Sequence, residues 1–379
     1  MRISPNAMNW RTWGVYTLIV LGSLLGAELL VRIYDWGPRS GDFAAGDNLG
    51  LSRYNYSHRG FGDLVPGQDG HWATWFHRPY HVQTNSVGLR NTEEPSDKAF
   101  RIVAIGDSQT FGPFLANEDT WPAWTENYLR RRDQSDERFQ VFNAGIVGYT
   151  IFDELAYLKD KAIAFKPQLV VLAVFENDLR DLLKVKGDAR KRPRDTWGVV
   201  DALKTFGRNL ALVQLGDRIK TGVKLKQAGV DTRGGIRGGT GWAPPSGDDP
   251  ALAKRFAGLF NDMEALLKSH GVALAVIFIP AADCMDPRTP SVTEPVVRAA
   301  AAGRGTPYLD MTPTFQAHPD PVSRLYLLQR AASGRLSGDG HVSREGSAVI
   351  GQAVADWLAR AGLVHHQQAA MSARQPASK

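Results

Sequence analysis

The sequence predicts a doubly wound α/β domain, a parallel sheet covered by helices on both faces, carried behind one N-terminal membrane-spanning helix. Three observations lead there. Nineteen residues from Trp13 to Val31 (WGVYTLIVLGSLLGAELLV) hold a single ionisable side chain, Glu28. Five short apolar runs rich in β-branched residues recur between Arg101 and Met311. Amphipathic segments at helical spacing separate them, and strand, helix, strand in repeated succession implies parallel pairing.

The apolar stretch is about 28 Å long as a helix, close to the ~30 Å hydrocarbon core of a bilayer. Trp13, Tyr16, Tyr34 and Trp36 lie near its ends, where amphipathic rings favour the headgroup level, and Arg32 can snorkel. Its length and the lack of a small-x-small cleavage site favour a retained anchor, residues 1–34 with a cytoplasmic stub, over a cleaved signal peptide. Arg2 and Arg11 before the span balance Arg32 and Arg39 after it, so the terminal amine alone tips the topology to N-inside. The body is therefore expected on the periplasmic side of the inner (cytoplasmic) membrane, as a single-pass protein.

Residues 35–100 are rich in Gly, aromatic and polar residues with little helical period, and read as an irregular extension. The domain proper is expected over 101–363. Its strands are placed at Arg101 to Ile105 (RIVAI), Gln140 to Phe142, Leu169 to Phe175 (LVVLAVF), Val272 to Ile279 (VALAVIFI) and Tyr308 to Met311. Its helices are placed at Trp121 to Arg131, Phe152 to Ala164, Ala251 to Ser269 and Val292 to Ala302, with Arg344 to Ala361 closing the domain. Residues 364–379 form a polar, disordered tail.

A basic insertion, 184–250, interrupts the alternation between the third and fourth strands. Fourteen Lys or Arg stand against five Asp between Lys184 and Arg237, an excess larger than the whole chain's +6. Three readings stay open: a solvated cap over the sheet edge, a lid that draws an anionic substrate, or a basic face resting on anionic lipid. The basic stretch lacks aromatic interleaving, which argues against nucleic acid. Composition is that of a globular protein, 43% apolar and 22% charged, which excludes a disordered chain and a multi-span membrane protein. The one cysteine, Cys284, excludes an internal disulfide framework and a Cys-based metal site, and reads as a small buried hydrophobe.

In an open α/β sheet, ligands bind outside the carboxyl ends of the strands, so the residues just after each apolar run carry the chemistry. After the first comes Gly106-Asp107-Ser108-Gln109-Thr110-Phe111-Gly112, a serine at a strand-to-helix turn. There, free backbone N–H groups favour a developing negative charge, so Ser108 is placed as a nucleophile would be. After the second run, Gly148 in NAGIVGYT lets the backbone approach a ligand and present its N–H to an oxyanion. After the third, Asn177 in FEND offers a neutral amide donor. Near the C-terminus, Asp339 and His341 in DGH sit two residues apart, a spacing that lets a carboxylate orient an imidazole. A serine hydroxyl needs such a base within hydrogen-bond reach to attack at neutral pH.

With GDSQTFG, NAGIVGYT, FEND and DGH the chain resembles the SGNH/GDSL hydrolase family over residues 101 to 360. The resemblance implies a flavodoxin-like three-layer α/β/α sandwich with a five-stranded parallel sheet, ester or acyl-transfer chemistry, and no metal or organic cofactor. It implies catalytic Ser108, Asp339 and His341, with an oxyanion hole from Ser108, Gly148 and Asn177. Two positions depart from the pattern. Phe175 stands where many members have glycine, and the last block is Asp-x-His where much of the family has Asp-x-x-His. The shorter spacing resembles members active on cell-surface polysaccharides, acetyltransferases among them. Gly88-Leu89-Arg90 before the first strand resembles a stretch of membrane-anchored members.

The expected function is thus a membrane-anchored serine esterase or deacylase acting on an acylated carbohydrate or lipid ester. An O-acyltransferase for an envelope or secreted glycan shares every motif. A non-catalytic glycan-binding scaffold is the reading from another class, and retention of all the functional residue types argues against it. No phosphate-binding Gly-Lys-Ser/Thr loop, dinucleotide fingerprint or G-x-S-x-G elbow is present, which removes NTPases, nicotinamide enzymes and lipase-type α/β-hydrolases. His71, His77 and His81 lack the spacing and acidic company of a metal site. Trp72, Trp75 and Phe76 are expected to pack the extension rather than form a sugar platform. Arg180 and Asp181 are read as an ion pair or as pocket lining.

Overall fold

The computed structural model describes residues 10–35, 55–56, 62–64, 66–67, 69–72, 80–134, 139–184, 249–330 and 336–364. Nearly all of the basic insertion, residues 365–379 of the expected 364–379 tail and the residues before Trp10 lie outside them, whereas Val364 is buried in the core and does not belong to a disordered tail. Helix α1 (Trp10–Asp35) contains the window Trp13–Leu30, whose mean hydropathy is 1.6 and none of which is buried against the rest of the protein. It is long and apolar enough to cross a bilayer, as a membrane anchor or a signal sequence would be.

Five strands form the parallel sheet: β1 (Phe100–Gly106), β2 (Phe139–Gly145), β3 (Leu169–Phe175), β4 (Ala273–Ile279) and β5 (Tyr308–Asp310). Their order is β2-β1-β3-β4-β5, so β1 lies between β2 and β3. All five occupy the runs expected from the sequence. β2 is longer than expected because parallel pairing with β1 carries Asn143, Ala144 and Gly145 into the ladder, residues with little intrinsic strand preference.

Alternation along each strand assigns its side chains to two cores. On one face Val103, Ile105, Val170, Leu172 and Val276 meet α3 (Ile151–Asp160), α4 (Pro250–Ser269) and α5 (Glu294–Ala302). On the other, Ile102, Ala104, Val171, Ala275 and Ile277 meet α2 (Trp121–Asp133) and α6 (Arg344–Arg360). This is the three-layer α/β/α arrangement. α2 and α6 approach closely at Gly351, where a Cβ would lie 2.9 Å from Thr125 N and 3.0 Å from Trp121 O.

Two local differences from expectation have physical causes. The helix expected over 152–164 ends at Asp160: Lys161, at φ −136° and ψ −55°, leaves the helical region, and a 3₁₀ turn, Ala162–Phe165, follows. The segment with the last motif is not a simple extended lead-in to α6. Leu336–Val342 pairs antiparallel with Tyr326–Arg330 as a separate ribbon outside the five-stranded sheet.

The extension before β1 is packed onto the domain where it is described. Tyr80, Val82 and Leu89 join the core, and Asp69–Trp72 pairs antiparallel with Tyr80–Gln83. Arg90 is buried, and its guanidinium donates to the carbonyls of Phe111, Gly112 and Leu115 and, at 3.2 Å, to Asn117 Oδ1. Four acceptors meet its fixed donor fork, which offsets the cost of burying its charge.

Candidate active site

β1 ends at Gly106 and a one-turn helix, Ser108–Phe111, follows after one residue. The Asp107 carboxylate caps it by accepting the Gln109 N–H at 2.8 Å, and Gly112, at φ 75°, ends it with its N–H donating to Ser108 O at 2.9 Å. The turn seats itself directly on the sheet because two strand ends lack side chains. A Cβ on Gly106 would stand 2.8 Å from Ala173 O, and one on Gly145 would stand 2.5 Å from Thr110 C and overlap Phe111 N.

Ser108 Oγ lies 2.8 Å from His341 Nε2 across a separation of 233 residues. With the imidazole proton on Nδ1, the hydroxyl donates and Nε2 accepts, as a general base requires. The His341 ring meets the edge of Phe114 in a T-shaped contact, with centroids 6.0 Å apart. Asp339 stands two positions earlier in the same ribbon strand, and its side chain lies outside what is described.

Gly148 and Asn177 follow β2 and β3, the strands flanking β1, and so stand at the same edge of the sheet as Ser108. Gly148 is exposed, holds φ 80°, and has nothing within 4 Å of where a Cβ would sit. Asn177 Nδ2 donates to Asp181 Oδ2 at 3.4 Å, while its Oδ1 is buried with no hydrogen-bond partner among the described residues. Beside it the Asp178 carboxylate accepts the Phe175 N–H at 2.8 Å, so the turn closes with phenylalanine where glycine is common in the resembled pattern.

Below the serine turn the fold gathers buried carboxyls. Burial raises Asp107 to about 6, against the lowering pull of the Gln109 N–H and of His341. Burial, reinforced by Asp107, lifts Glu154 and Asp178 well above the usual carboxylate range. Burial penalises the charged form of both, so the shift favours their neutral forms beneath the serine.

Three residues inside the quoted motifs, Glu176, Arg90 and Gln109, have supporting contacts that the sequence did not reveal. Glu176 accepts from Ser291 Oγ, Val292 N (3.0 Å) and Thr293 N (3.3 Å), and Thr293 Oγ1 donates back to Glu176 O at 2.6 Å, tying the chain beside Asn177 to the loop before α5. Arg90 grips the carbonyls that follow the serine turn. Gln109 bonds to the strand that carries His341. Each uses backbone partners far away in the chain, which leave no local pattern.

The remaining candidates resolve plainly. No group of three His, Cys, Asp or Glu side chains able to hold a metal ion occurs among the described residues, and His81 Nε2 instead contacts Asp69 Oδ1 at 2.5 Å. His77, Trp75 and Phe76 and the side chains of His71 and Trp72 lie outside the described residues. Arg180 Nε and Asp181 Oδ1 stand 3.7 Å apart, an ion-pair contact. Cys284 is buried, its Sγ 3.7 Å from Glu176 Oε2, and burial pushes its thiol up to about 12.

No family model matches the chain, and no curated protein matches it. Among solved structures it is similar to a lipolytic protein of the G-D-S-L family from Desulfitobacterium hafniense, at 16% identity over 68% of this chain and 99% of that one, TM-score 0.38. It is also similar to an acetylxylan esterase from Geobacillus stearothermophilus, at 15% identity over 70% and 96% of the two chains, TM-score 0.39. A third is a lipase/acylhydrolase from Enterococcus faecalis, at 17% identity over 68% and 94%, TM-score 0.37.

Proposed function

We propose that the protein is a membrane-anchored serine esterase or deacylase that removes ester-linked acyl groups through an acyl-enzyme on Ser108. The 2.8 Å contact between Ser108 Oγ and His341 Nε2, at the carboxyl edge of a parallel sheet, carries this reading. His341 takes the hydroxyl proton as Oγ attacks the ester carbonyl, and Asp339 orients the ring. The oxyanion is met by the free N–H of Ser108 at the start of its helical turn, by the Gly148 N–H and by the Asn177 amide. Asn177 has two N–H donors, so one can stay on Asp181 while the other points at the oxyanion.

Collapse of the tetrahedral intermediate returns the proton from His341 to the leaving alkoxide. Water then attacks the acyl-serine with His341 again as base, and collapse of the second intermediate breaks the acyl–Oγ bond, releases the acid and returns the proton from His341 to Ser108 Oγ. The substrate is an acylated carbohydrate or lipid ester presented at a membrane, with the body on the periplasmic side and α1 as its tether.

The acyl-enzyme has two chemical fates, water or a sugar hydroxyl, and the reading commits to water. The full-length chain in detergent, given a short-chain aryl ester with and without an acceptor oligosaccharide, is expected to release free acid in both cases. Acyl oligosaccharide as the main product would replace hydrolysis by transfer. No turnover by well-folded protein of any ester offered would favour a binding scaffold.

A further inference from the structure

We propose that Gln109 is a positioning residue that locks the strand carrying His341 onto the turn carrying Ser108, a proposal that rests on the hydrolytic reading of that pair. His341 has an unusual support for a proposed base. Its strand, Leu336–Val342, is not part of the five-stranded sheet that places Ser108, Gly148 and Asn177; its ladder partner is Tyr326–Arg330. Among the described residues no β-ladder therefore relates the imidazole to β1, and a serine–imidazole contact of 2.8 Å needs another source of register.

Gln109 provides it. Its side chain is 2% exposed, and its Oε1 accepts the Val342 N–H at 3.1 Å while its Nε2 reaches Gly340 O at 3.5 Å. These two backbone groups flank His341 on either side. The amide thus grips the peptide segment around the base as a neighbouring strand would, with one acceptor and one donor. A carboxylate lacks the donor, and an aliphatic chain lacks both. The Gln109 N–H is itself held by Asp107 Oδ1 at 2.8 Å, so the grip starts from a fixed point one residue from the nucleophile. A movement of the ribbon must break these bonds or carry Ser108 along with it.

The test uses the full-length chain in detergent with a short-chain aryl ester. Gln109→Leu keeps similar bulk and removes both bonds. It is expected to lower kcat by about 10²-fold with KM little changed, the loss typical of a base displaced by about 1 Å. In a His341→Ala background the same substitution is expected to add no further loss, because the group it positions is gone. Gln109→Glu keeps the acceptor for Val342 N and guards against a folding failure of the leucine variant; a loss of about tenfold is expected. Wild-type kcat in these variants, or a loss that multiplies with that of His341→Ala, overturns the proposal.

A second readout needs no turnover. In protein with 15N-labelled histidine, Ser108→Ala is expected to shift the His341 Nε2 resonance when Gln109 is present and to leave it unmoved in Gln109→Leu. Persistence of that shift in Gln109→Leu refutes the positioning role whatever the enzyme does. Absence of any ester turnover in a wild-type chain that shows the Gln109-dependent shift would refute the hydrolytic reading alone.

Discussion

Ser108 and His341 are ordinary residues brought into contact by the fold, and burial, which shapes the electrostatics around them, acts elsewhere on stability. Glu126 is the clearest case away from the site. Burial raises it to about 7 from 4.5, against the Val141 N–H that it accepts at 2.6 Å and the attraction of Arg130. A carboxyl whose folded pKa is raised binds its proton more tightly in the folded chain, so its contribution is fully present below 4.5 and is lost as pH rises through about 7. Glu126→Gln keeps an acceptor for Val141 and removes the titration. Urea unfolding at pH 5 and pH 8 should show the variant gaining roughly 2–3 kcal/mol relative to wild type at the higher pH. An unchanged pH dependence in the variant would assign the effect to other buried carboxyls. The candidate residues could be proposed one by one, Ser108, Gly148 and Asn177 because each follows an apolar run and His341 because it stands two residues after Asp339 ahead of the last helix. The contacts of Gln109 and Arg90 could not be read although both stand in quoted motifs, because carbonyl and amide partners on distant backbone carry no signature in their own neighbourhood.

At the scale of elements, the serine turn depends on what β1 and β2 lack. Gly145 closes β2, and a Cβ there would drive into the backbone of Thr110 and Phe111. Gly145→Ala must therefore push the turn off the sheet or deform β2, costing about 1–3 kcal/mol as an overpacked core does. A thermal melt should report the lost stability, and ester turnover should fall more than stability alone explains, because Ser108 moves with the turn. Wild-type turnover in Gly145→Ala would show that the close seating is dispensable. The strands were readable because apolar, β-branched runs buried on both faces are conspicuous, and β3 has the bounds expected for it. The ribbon around LSGDGHV was not readable: it is polar and glycine-rich, and its pairing with Tyr326–Arg330 is a tertiary fact. The break at Lys161 was hidden likewise, since apolar spacing continues through the 3₁₀ turn after it.

At the scale of the whole molecule, one sheet edge collects groups from loops spread over 234 positions, Ser108 to His341 inclusive, while the N-terminal apolar helix is long enough to cross a bilayer. The sheet order β2-β1-β3 accounts for the first three groups by placing the ends of β2 and β3 on either side of the end of β1, which Ser108 follows. The fourth arrives on a ribbon of its own. Convergence on one hydroxyl is thus the claim that everything else serves, and a fluorophosphonate, which reacts only with a serine made nucleophilic by its surroundings, reads it directly. Mass analysis of the labelled full-length chain should place one adduct on Ser108, with none in Ser108→Ala and greatly slowed labelling in His341→Ala. A folded wild-type chain that stays unlabelled, or that carries its adduct on another residue, would contradict the account.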